Sequence, residues 1–112
     1  MTRCISRSSV SIPIGTSLST EYTIDGKPPT ILEMPIAWTA ADICFTCSDA
    51  MNDFYICDDT GVLIQIPTDL YHRIVLPYAY LKNHKTIRIQ SGTPTVKVNQ
   101  AAARTIYLEV WA

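Results

Sequence analysis

Two runs in the last quarter of the chain restrict its possible folds more than any other feature: Ile87-Arg88-Ile89-Gln90-Ser91-Gly92-Thr93 and Arg104-Thr105-Ile106-Tyr107-Leu108-Glu109-Val110-Trp111. Both alternate with period two. Alternation of that kind sends Ile87 and Ile89, then Ile106, Leu108 and Val110, to one face of a sheet, while Arg88, Gln90, Tyr107 and Glu109 face the other way. The chain is therefore expected to end in half-buried β-structure. With Trp111 next to last, that end reads as tied down, as in a complete folded unit.

The same texture recurs upstream. Residues 31–38, 42–48, 54–58, 62–67, 73–76, 86–90, 96–98 and 104–111 are short runs rich in β-branched and aromatic residues. Turn-forming clusters separate them, among them residues 48–53, Asp58-Asp59-Thr60-Gly61, Pro67-Thr68-Asp69, Pro77 and Lys82-Asn83-His84-Lys85. Strands this short and this evenly spaced predict an all-β chain, a two-layer antiparallel β-sandwich of jelly-roll-like build with an extended N-terminal segment. Helix is expected only as single turns, near residues 69–72 or 101–103. The 112 residues suit one domain, with a β-sandwich core at 31–112. Residues 1–30 then supply an N-terminal strand and arm, either part of the sandwich or extending from it. Val10, Ile12 and Ile14 alternate there, Pro13 confines that strand to an edge or to the side that needs no donor, and residues 15–29 read as a long loop or an arm.

Composition narrows the partners. Hydrophobic residues make up 47% of the chain and charged residues 17%, which leaves a surface rich in apolar and hydroxyl groups that a partner would help to cover. Nine basic and ten acidic residues give a net charge of −1, without the one-signed field that draws a protein to nucleic acid or an anionic membrane. The cluster Lys82, His84, Lys85 and Arg88 reads as a solvated turn and strand face. The opening residues lack the apolar run of a secretory signal, and no stretch nears the roughly 18 apolar residues of a membrane span. Synthesis and folding in a cytoplasm are expected. In that compartment Cys4, Cys44, Cys47 and Cys57 are expected to be thiols, most of them buried.

Several motifs invite chemistry. Asp59-Thr60-Gly61 is the tripeptide of the aspartic proteases, so a retropepsin-like dimer is a remote alternative. Its expected apolar flanks are absent, and an acidic hairpin turn closed by Asp59 explains the same letters. Cys44 and Cys47 have the spacing of a metal pair, but in a strand residues three apart point to opposite faces. His72 and His84 accompany no nucleophile motif, the aspartates fall at turns without calcium-loop spacing, and the four glycines are scattered. No catalytic residue, cofactor or metal ligand is therefore assigned. The remaining candidates are contact residues: Ile12, Ile14 and Tyr22 in an N-terminal assembly segment, and Tyr71, Tyr78 and Tyr80 between Asp69 and Lys82.

One resemblance runs from about residue 38 to 111. Trp38-Thr39-Ala40-Ala41, Phe45-Thr46-Cys47-Ser48-Asp49, Arg88-Ile89-Gln90-Ser91-Gly92-Thr93 and Asn99-Gln100-Ala101-Ala102 resemble a family of small tailed-phage, head-associated virion proteins. Gln90 departs from that family's Arg-Ser-Gly-Thr, and residues 50–53 make a longer loop than its pattern carries. The resemblance implies a galactose-binding-like jelly roll and a non-enzymatic virion role, as a capsid decoration or cement protein. Its implied partners are the major capsid protein and other copies of itself. The alternative is a glycan-binding module on a head or tail fibre.

Overall fold

The computed structural model describes residues 3–24, 26–48 and 53–111. The turn expected at 48–53 lies largely outside them, as does Asp49. Among the described residues nine strands form two antiparallel sheets: β1 (Cys4–Ile12), β2 (Tyr22–Thr23), β3 (Ile31–Glu33), β4 (Ile43–Ser48), β5 (Asp53–Tyr55), β6 (Gln65–Ile66), β7 (Arg73–Val75), β8 (Thr86–Ser91) and β9 (Arg104–Trp111). One sheet has the order β1-β9-β3-β7; the other has β2-β8-β4-β5, with β6 also paired to β4. The chain crosses between layers at nearly every connection, which gives the strand order of a jelly roll.

Alternation accounts for the core. Val10, Ile12, Leu32, Ile106 and Leu108 face inward from the first sheet, and Ile43, Phe45, Ile87 and Ile89 meet them from the second. Burying each such side chain contributes about 1.5–3 kcal/mol, so the layers need no cross-link to stay together. Gln100 is also fully buried. Its amide nitrogen donates to the Ser91 hydroxyl at 2.7 Å and to the Thr39 carbonyl at 3.1 Å, and its amide oxygen accepts from the Thr39 N–H and the Arg104 guanidinium. One side chain thereby ties the loop between β3 and β4 to the end of β8 and the start of β9.

Four expectations need correction. Residues 15–29 are not a free arm, because 17–24 run along β8. Ser91 N–H donates to the Ser17 carbonyl, Ser19 N–H to that of Ile89 and Ile24 N–H to that of Lys85. Residues 96–98 form no strand. They are folded back by a tight turn in which Thr93 N–H donates to the Val96 carbonyl and Val98 N–H to that of Ser91. Among the described residues the one helix is α1 (Tyr78–Leu81), at neither expected place. Proline fits the start of a helix, so Pro77 opens the turn, and Leu81 drops fully into the core to hold it. Finally, Cys44 alone of the four thiols is buried: Cys47 is half-buried, and Cys4 and Cys57 are exposed.

Cys44 and Cys47 do face opposite ways: Cys47 packs against the core, while Cys44 pairs with Gln65 and Gln90 beneath the outer surface of the second sheet. Burial pushes the Cys44 thiol up to about 11. Ellman's reagent is therefore expected to modify Cys4 and Cys57 quickly in the native protein, and Cys44 only as fast as the chain unfolds. Rapid native-state labelling of Cys44, seen by peptide mapping, would contradict the packing described.

Candidate interaction surface

The outer face of the first sheet carries a charge lattice laid across all four strands. Arg7 of β1 reaches over β9, donates to Glu33 of β3 at 2.7 Å and lies 3.7 Å above the Tyr107 ring. Arg73 of β7 bonds Glu109 and approaches Glu33 at 3.4 Å. The strand register sets this up: Arg7 and Ile31 both stand opposite Glu109, and Glu33 lies between Tyr107 and Arg73. Two arginines thus balance two carboxylates. Glu109 is almost wholly covered, and its carboxyl is held below the usual range first by the Trp111 indole N–H, at 2.9 Å, and then by the Arg73 guanidinium.

That lattice fixes the wall of a groove. At the end of the same face lies a cavity of about 720 Å³ whose apolar lining includes Pro28, Ile31, Val75, Tyr78 and Trp111, and which Lys27 and Arg73 also line. The Trp111 ring is oriented by Glu109, and the Trp111 backbone N–H donates to the Thr30 hydroxyl at 3.2 Å. A preset aromatic wall can receive an apolar or ring-bearing group with little ordering cost.

A group whose pKa is depressed in the folded state stabilises it above the unfolded value and loses that contribution as pH falls through the folded value. Glu109, shifted down from the ordinary 4.5, therefore matters most near neutral pH and little in strong acid. Comparing melting temperatures of the wild type and Glu109→Gln across an acid series is expected to show a gap that is widest near neutral pH and narrows as the pH falls below the ordinary carboxylate value of 4.5. A constant gap would mean that the carboxylate charge is not what holds Trp111 and Arg73.

The contact residues expected from sequence are scattered. Ile12 and Tyr22 are corrected outright: Ile12 is 0% exposed and Tyr22 only 9%, because both fill the space between the sheets. Ile14, two residues past Ile12, stands 67% exposed on a loop pinned by the Gly15 N–H bond to the Gln100 carbonyl. The tyrosines do not form one cluster. Tyr71 bonds the Pro35 carbonyl through its N–H at the start of β7, Tyr78 lines the groove, and the Tyr80 hydroxyl points to Asp59 at 3.4 Å. Trp111 and Val75, which complete the groove, are not among the contact residues that the sequence points to. From sequence Trp111 is an anchor for the chain end; its place two residues from the alternating Glu109 is the signal that puts both on one face.

The acidic tripeptide sits at the tip of a turn. Asp58, not Asp59, organises it, accepting from the Thr60 N–H, the Thr60 hydroxyl and the Val62 N–H at 2.7–3.0 Å. Those bonds, the Thr60 hydroxyl first, hold the Asp58 carboxyl below its ordinary range. Among the described residues no three His, Cys, Asp or Glu side chains are grouped so as to hold a metal ion. No helix among them is long and apolar enough to cross a membrane.

Comparison with known proteins gives a likeness of fold. No family model matches the chain, and no curated protein matches it. A solved structure, that of the SPBc2 prophage-derived protein YomS, superposes with a TM-score of 0.53 at 11% identity, over 100% of this chain and 96% of that one.

Proposed function

We propose that this chain is a phage virion structural protein that decorates or cements the capsid, with the major capsid protein as its partner. It would act in the virion, after assembly in the host cytoplasm. The observation that carries the reading is the surface: among the described residues twelve large hydrophobic side chains remain exposed on a chain whose core is already complete. Exposed apolar side chains that gather into a patch mark a contact surface. The fold likeness to a prophage-derived protein and the sequence resemblance over residues 38–111 both support a phage setting.

In a shell the same contact is repeated over many copies, so a modest patch suffices: each Å² of apolar burial contributes roughly 25 cal/mol. Ile14 on its pinned loop and Tyr80 beside Asp59 are the proposed capsid contacts. The role requires no catalytic residue. A second reading, glycan binding, is favoured by one specific observation, the fixed Trp111 ring facing a groove that Tyr78 also lines. Aromatic walls of this kind stack on sugar rings.

Co-sedimentation separates the two readings. Purified protein added to capsids lacking it is expected to pellet with them, to resist elution by free sugars, and to lose binding in Ile14→Asp. Release by a sugar, with binding lost in Trp111→Ala but retained in Ile14→Asp, would move the function to the glycan reading.

A further inference from the structure

The first sheet ends at β7, and one side of that strand is open. Met34 N–H donates to the His72 carbonyl and Leu76 N–H to the Thr30 carbonyl, so residues 72 and 76 turn their backbone groups toward β3. In an antiparallel pair this direction alternates, which sets Ile74 toward β3 and the N–H and C=O of Arg73 and Val75 outward. No other described residue bonds those four groups.

We propose that this edge pairs with β7 of a second copy of the chain. A two-fold axis beside Ile74 is the register that matches outward groups with outward groups. Arg73 then exchanges two bonds with Val75 of the second copy, and the symmetric pair makes two more. Charge favours the same register, because it sets Arg73 opposite a valine and avoids an opposed arginine, while Glu33 and Glu109 on its own sheet balance each Arg73.

Apolar surface falls where the register needs it. Ile36, Leu70 and Tyr71 are exposed at the start of β7, and Val75 and Tyr78 at its end, by 40% to 77%. The two-fold brings the start of one strand to the end of the other, so Tyr71 comes opposite Pro77, at the mouth of the groove of the second copy. Aromatic side chains bury about 150–250 Å² each when covered. Closing these five residues in both copies removes on the order of 1,000 Å², near the lower bound for a specific interface. The dimer is accordingly a weak one that is filled at high local concentration.

Sedimentation equilibrium of the full chain tests this. The expected mass rises from monomer at low micromolar protein to dimer toward millimolar. Val75→Pro removes an N–H that the fold itself does not use and is expected to hold the mass at monomer, with an unchanged circular dichroism spectrum. Tyr71 has a φ of 62°, so Asn suits its backbone, and Tyr71→Asn is expected to weaken the dimer by at least about tenfold. Should Val75→Pro fail to fold, Tyr71→Asn and Val75→Lys carry the same expectation at exposed side chains. A wild-type mass that stays monomeric throughout overturns the proposal. So does a dimer that survives these variants, or one abolished instead by Ser9→Pro on the opposite edge.

Discussion

Removal of residues 1–20 is expected to leave a chain that does not fold. β1 is half of the longest ladder in the protein, pairing with β9 from Cys4 opposite Trp111 to Ile12 opposite Arg104. Val10 and Ile12 are fully buried, worth about 1.5–3 kcal/mol each, before the lost backbone bonds are counted. The deletion also takes Ser19, whose hydroxyl accepts from the Ile89 N–H, and Thr20, whose N–H joins the two sheets through the Ser11 carbonyl. Losses of that sum reach the 5–15 kcal/mol by which whole domains are stable. The sequence pattern alone led to the opposite expectation, a sandwich closed by residues 31–111. A truncated protein with a cooperative melt and native near-ultraviolet dichroism would restore it.

Gly92→Ala is expected to be nearly as damaging as the truncation, although it adds a single methyl group. Gly92 has φ +98°, and a β-carbon there would lie 2.3 Å from the Val96 carbonyl oxygen and 2.8 Å from the Val98 nitrogen. Both obstacles are backbone. They are held in place by the Gly92 N–H bond to the Asp42 carbonyl and by the Ser91–Val98 and Thr93–Val96 bonds, so the turn cannot give way without undoing its closure onto β8. Losses above about 4 kcal/mol come from this kind of combined strain and clash. Urea denaturation measures it. A loss below about 1 kcal/mol would mean that the turn is built differently.

Where side chains alternate and bury on one face, the fold could be read directly from sequence. β4, β8 and β9 fall where the period-two runs place them, because β-branched residues on one face leave only one way to bury them. What stayed hidden was pairing across long sequence distance. Val10 and Ile12 have no alternating partner nearby, because theirs is β9 at the other end of the chain, so local pattern makes Ile12 a contact candidate when it is core. The 17–24 segment is rich in Ser and Thr, and it follows β8 through backbone bonds and the Ser19 hydroxyl, which leave no periodic signal. The tyrosines were adjacent in sequence, but Pro77 and the helix after it send Tyr78 and Tyr80 to different neighbours. The groove depends on the register of β9, β3 and β7, which no local pattern displays.

The proposed virion role is tested most directly by quantitative mass spectrometry of density-purified phage particles released from cells that carry the gene for this chain. The expected result is that the protein is present in many copies per particle, in a fixed ratio to the major capsid protein, and is retained after high-salt washing. Its absence from particles, while it is abundant in the infected-cell lysate, would contradict that role.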